Sequence, residues 1–145
     1  VSGLTDEQRA RICAAARTYL GVRWSGQMRD HRGIDCVGLC ENAYVEGAPE
    51  LGLERTPATY RGIDSKVMMR VLRKNFRMIP FGEANPADLV VYRILPTREA
   101  HLVMLLPPRA AGWPMNAIHC PGNYRVVESL FDIRRFDIQG FHTWQ

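Results

Sequence analysis

The chain carries four cysteines, Cys13, Cys36, Cys40 and Cys120, and four histidines, His31, His101, His119 and His142. These side chains offer nucleophilic, proton-transfer or metal-binding chemistry near neutral pH. Two of the cysteines fall in the short stretch "RGIDCVGLC", Arg32 to Cys40. A zinc site there would need two more ligands, and neither Cys13 nor the adjacent pair His119–Cys120 has the spacing of a second ligand pair. A Cys36–Cys40 disulfide would have to meet a demanding bridge geometry across one helical turn. A nucleophile is the third reading, and an inert buried thiol the fourth. Asp35 can cap a helix whose first turn holds Cys36, where unpaired N–H groups and the positive dipole end favour a thiolate. The Asp35 charge works against that thiolate, so a histidine is the expected helper.

His101 opens the apolar run "HLVMLL", and His119 sits in "AIHC". Antiparallel pairing of two such strands would set the histidines side by side. One could then act as base to Cys36 while the other orients it through the second ring nitrogen. The remaining cysteines read as packing. Cys13 lies on an apolar helix face, Cys40 sits one turn into the second helix, and Cys120 alternates with His119 along its strand.

The elements that must position these groups follow from periodicity. "TDEQRARICAAARTYLG" predicts a first helix, with Thr5 and Gln8 as a capping box and Gly21 as its stop. "VRWSGQMRDHRGI" reads as a loop, and Asp35 to Val45 as a second helix with Cys36, Leu39, Cys40 and Ala43 on one face. Residues 47 to 62 read as a long irregular connection, and "DSKVMMRVLRKNF" as a third helix capped by Asp64 or Ser65. Five β-rich runs follow, "ADLVVYRIL", "AHLVMLL", "NAIHC", "YRVVES" and "RFDIQGFHTW", which predict an antiparallel meander. Helices first and strands afterwards indicate an α+β domain.

At 145 residues, with 46% apolar and 23% charged residues, the chain is long enough for a real core and too apolar for wholesale disorder. Four cysteines are too few for a disulfide scaffold. No apolar run approaches the ~18 residues of a membrane span, and the start "VSGLTDEQ" shows no signal-peptide order. A protein made in the cytoplasm is the expectation. The net charge of +4 suits an anionic partner. The basic residues are scattered, with no stripe interleaved with aromatics, so direct nucleic-acid binding is not expected.

Taken together, "YLGVRWSGQMRDHRGIDCVGLCENAY", "NPADLVVYR", "AHLVMLL" and "NAIHC" followed by "YRVVES" resemble the NlpC/P60 cysteine peptidases, most of all the phage-type branch encoded among tail genes. The likeness runs from about residue 5 to residue 130. It implies a papain-like fold in one catalytic domain spanning residues 1–145. It further implies Cys36 as nucleophile, His101 as general base, His119 as the residue orienting His101, and no cofactor or metal. Trp24 falls where the family has an aromatic at the oxyanion hole or cleft wall, and Asp35 and Val37 flank the nucleophile. The implied substrate is the stem peptide of cell-wall peptidoglycan. The implied setting is a phage-like tail with hub or tail-tip proteins as partners, where wall cleavage eases DNA entry. The alternative is a structural tail-tip component with an unused cleft. The sequence departs from the family pattern at Val37, where a Ser is frequent, and at Ala87, where "GDLV" has become "ADLV". A third departure is "PPRAAGWP", longer than the family's usual hairpin.

Overall fold

A computed structural model describes residues 3–26, 28–56, 65–94, 99–135 and 137–145. Helix α1, Asp6–Arg17, begins with the expected capping box: the Thr5 hydroxyl accepts from the Gln8 N–H at 3.1 Å, and Gln8 Oε1 accepts from the Thr5 N–H at 2.9 Å. The polar stretch read as a loop contains a small hairpin, β1 (Arg29–Asp30) and β2 (Gly33–Ile34). Helix α2 spans Cys36–Gly47, with Asp35 as its cap and its end two residues beyond Val45, and α3 spans Ser65–Leu72. The proposed cap Asp64 and the connection from residue 57 onward lie outside the described residues.

Six strands then form one antiparallel sheet: β3 (Phe76–Ile79), β4 (Leu89–Ile94), β5 (Glu99–Leu106), β6 (Asn116–His119), β7 (Val127–Leu130) and β8 (Asp137–Trp144). The five expected strands are present. The structure adds β3, whose first residue, Phe76, is the last of the stretch that predicts the third helix. Only Phe76 and Ile79 of β3 are buried, a pattern without the strict alternation that marks a strand in sequence. The order is β3-β8-β4-β5-β6-β7, so the meander holds from β4 to β7 while β8 returns to lie between β3 and β4. The α+β class stands.

Both sheet faces are covered. Leu89, Val91, Leu102, Met104 and Ile118 pack against α1 and α2 in the main core. Val90, Tyr92, Val103, Leu105 and Phe141 form a second cluster on the opposite face. Cys13, Cys40 and Cys120 are all buried in the main core, as their positions predict.

Asp88, at the head of β4, is fully buried. Its carboxylate accepts from the Arg9 guanidinium at 2.8 Å, the Thr143 hydroxyl at 2.7 Å and the Asn85 N–H at 2.9 Å. The neighbouring Ala87 adopts φ 78°, a left-handed backbone that a glycine would take without strain. It is held there by its N–H on Leu105 O at 2.8 Å and by the Tyr44 hydroxyl donating to its carbonyl at 2.7 Å.

Helices α1 and α2 meet at Gly47, where an added Cβ would lie 2.6 Å from Ile12 Cα and 2.7 Å from Arg11 O. Both obstacles are backbone and cannot rotate away. Gly47→Ala should therefore lower unfolding stability by about 1–3 kcal/mol in chemical denaturation, the usual cost of overpacking.

Candidate active site

The N-terminus of α2 abuts the start of β5, and the backbone N–H of Leu102 reaches the Cys36 sulfur. His101, the residue before Leu102, is 5% exposed. The β5–β6 register, with Met104 opposite Ile118, places His101 and His119 on one face of the sheet. Their rings meet edge to face, with His101 Nε2 and His119 Nδ1 3.0 Å apart. Across β4 the direct partner of His101 is Tyr92, whose ring packs edge to face at 5.2 Å between centroids. His101 is thus clamped between an aromatic wall and a second imidazole. Sequence reasoning named both histidines but missed Tyr92, because a cross-strand partner is readable only once the register is known.

Burial sets the electrostatics. Cys36 as a residue is half-buried, yet desolvation of its thiol pushes it up to about 12, and the Asp35 carboxylate and the Cys120 thiol push the same way. The Leu102 and Val37 N–H groups act in the opposite sense and are outweighed. Burial, with His119 as a second cause, lowers His101 to about 3, and burial lowers His119 as well. The resting arrangement is a protonated thiol with two neutral imidazoles. The helix start was expected to favour a thiolate, and desolvation reverses that expectation. Among the described residues no hydrogen bond joins the Cys36 thiol to His101.

The other candidate residues occupy different environments. Trp24 is 37% exposed, forms a parallel bridge with Ile34, and donates its backbone N–H to Tyr124 O at 2.8 Å. Asp35 is the N-cap of α2, its Oδ1 accepting from the Gly38 N–H at 2.7 Å. Val37 is 6% exposed and turns inward, lining an apolar hollow with Leu53, Met68, Leu72, Leu89 and Leu102. One turn on, Glu41 is buried against Arg29 at 3.0 Å and the Thr56 N–H at 2.8 Å, which fastens the β1 strand and residue 56 to α2. The periodicity of α2 gave no hint of that polar contact. Among the described residues no cluster of three or more His, Cys, Asp or Glu side chains is arranged to hold a metal, and no helix is long and apolar enough to cross a membrane.

His142 lies on β8 between Met78 and Leu89, 1% exposed, with neither ring nitrogen hydrogen-bonded among the described residues. Burial, then the Arg73 charge, lowers it from 6.5 to about 4. The unfolded chain takes up this proton near pH 6.5 and the folded chain only near pH 4, so the unfolded state binds more protons in between. Stability should fall as pH drops through that window, and buried His101 contributes with the same sign. His142→Leu should flatten the dependence of the thermal midpoint on pH between 7 and 4 and raise the midpoint at pH 5.

No family model matches this sequence, and no curated protein matches it. Solved structures share its fold. The NlpC/P60 domain of the peptidoglycan hydrolase SagA superposes with a TM-score of 0.63 at 19% identity, over 93% of this chain and 97% of that one. NlpC1 from Trichomonas vaginalis gives 0.66 at 21% identity, covering all of this chain and 46% of that one. The P60 domain of an antigen from M. avium subspecies paratuberculosis gives 0.60 at 18% identity, over 94% and 93% of the two chains. The chain therefore has the NlpC/P60 fold.

Proposed function

We propose that this chain is a cysteine peptidase that cleaves amide bonds in the stem peptides of peptidoglycan. The observation that carries the reading is the 3.0 Å contact between His101 Nε2 and His119 Nδ1, on a strand whose next N–H, that of Leu102, acts to lower the Cys36 thiol. With His119 Nδ1 accepting, His101 Nε2 carries the proton and His101 Nδ1 is left bare as a base. The thiol proton passes to that nitrogen as Cys36 Sγ attacks the amide carbonyl. The oxyanion forms beside the Cys36 N–H at the start of α2. His101 then gives its proton to the leaving amine, and a thioester remains on Cys36. Water, deprotonated by His101, attacks the thioester and releases the acid and the free thiol. Because the resting thiol is protonated, its activation belongs to the substrate complex, where water is excluded and the imidazolium is paired with developing negative charge.

The finer setting, delivery on a phage-like tail with hub proteins as partners, is supported by the phage-type resemblance of "DCVGL", "ADLV" and "HLVML". The second reading, a structural component with an idle cleft, draws on the missing thiol–imidazole hydrogen bond.

Muropeptide release from purified peptidoglycan separates the two. Cys36→Ala should reduce it by about a thousandfold or more, and a Cys36→Ala protein that digests at the parental rate overturns the thiol mechanism. His119 is assigned as a positioning residue. His119→Ala should lower kcat and alter the acid limb of the pH–rate profile, and His119→Asn should recover part of the rate by restoring an acceptor for His101. Equal loss in the two His119 variants, with an unchanged profile, would reduce His119 to packing.

A further inference from the structure

The dipeptides Arg23–Trp24 and Tyr124–Arg125 come from opposite ends of the chain, and the fold lays them against each other. Arg23 and Arg125 are direct partners in an antiparallel bridge. Trp24 N–H donates to Tyr124 O at 2.8 Å, and Val126 N–H donates to Val22 O at 2.9 Å, which sets Trp24 opposite Tyr124. Val126 is buried in the main core and anchors this patch. The polar and aromatic side chains face solvent: Trp24 is 37% and Tyr124 58% exposed, and both arginines are exposed.

Two like charges directly opposite on paired strands repel. Among the described residues no carboxylate forms an ion pair with either arginine. Arg125 instead lies over the Tyr124 ring, 5.6 Å from its centroid. The patch thus holds two forked donors with unspent capacity beside two exposed aromatic faces. It is also joined through the chain to the elements that carry the candidate site. Trp24 bridges to Ile34, two residues before Cys36, and Tyr124 follows closely on His119 at the end of β6.

We propose that Arg23, Trp24, Tyr124 and Arg125 form a subsite for a carboxylate-bearing stretch of the wall polymer adjoining the bond attacked at Cys36. This rests on the peptidoglycan reading above. The guanidinium pair matches carboxylates bidentately, while the flat rings offer stacking surface to sugar or peptide planes. Two guanidiniums are too short a track for a nucleic-acid backbone, which needs a basic stripe.

The test is co-sedimentation of Cys36→Ala protein with purified sacculi stripped of phosphate polymers, so that binding is read without turnover. Arg23→Gln/Arg125→Gln should raise the half-saturating sacculus concentration on the order of tenfold, about 1.4 kcal/mol. The Arg23→Lys/Arg125→Lys protein should lose less. Sacculi whose carboxylates have been converted to amides should bind the parent as weakly as native sacculi bind the Gln variant. The subsite is overturned if the Gln variant binds like the parent. It is also overturned if amidation has no effect, if binding requires the phosphate polymers, or if a single-stranded oligonucleotide binds more tightly than sacculi through the same arginines. Arginine-dependent binding by a protein whose Cys36 form releases no muropeptides would keep the subsite and remove the peptidase. Muropeptide release without arginine-dependent binding would do the reverse.

Discussion

The carboxylate of Asp88 is the point on which the architecture turns. It is wholly buried and accepts from α1 through Arg9, from β8 through Thr143 and from the preceding turn through Asn85. A buried charge is tolerable only when its lone pairs are filled, and removing one partner leaves the others stranded. The three donors fix three elements relative to the head of β4. From that fixed head the register of β4 on β5 follows, and with it the position of Tyr92 against His101. The first helix contributes nothing to the candidate chemistry directly, yet its Arg9 helps determine where the histidines stand.

The site itself is built by exclusion of water more than by charge. Desolvation raises the Cys36 thiol and lowers both imidazoles, so each group rests in its neutral form. Neutral groups are cheaper to bury than an ion pair. The arrangement favours stability at rest, and under the proposed mechanism charge would separate only when a substrate fills the cleft. The helix dipole at α2 still points at Cys36, and in the proposed mechanism it would act on the developing oxyanion rather than on a standing thiolate.

Local rules carried most of the elements. Thr5 and Gln8 announced the start of α1, and β-branched runs announced five of the six strands of the main sheet. The pairing of His101 with His119 was legible because it needs only two neighbouring antiparallel strands. What escaped was non-local. Strand β3 is short and buried at its two ends only, and the return of β8 to the sheet interior leaves no mark on local periodicity. Glu41 and Asn42 look like surface residues on α2, but the β1–β2 hairpin and the stretch through Thr56 cover that face. Basic and aromatic residues looked scattered along the chain, and only folding sets Arg23–Trp24 beside Tyr124–Arg125.

The strand order also has a consequence for how the molecule is made. Strand β8 lies between β3 and β4, so during synthesis β3 waits without a neighbour until residue 144 has left the ribosome. Strands β5, β6 and β7 adjoin in sequence as well as in space and close with little loop entropy. The histidine pair on β5 and β6 can therefore assemble early, on an unfinished sheet. Arg9 can reach Asp88 early too, but Thr143 arrives last, and the buried carboxylate gains its full set of donors only then. Until that moment the open sides of β3 and β4 are places where a nascent chain can mispair, and where a chaperone has something to hold.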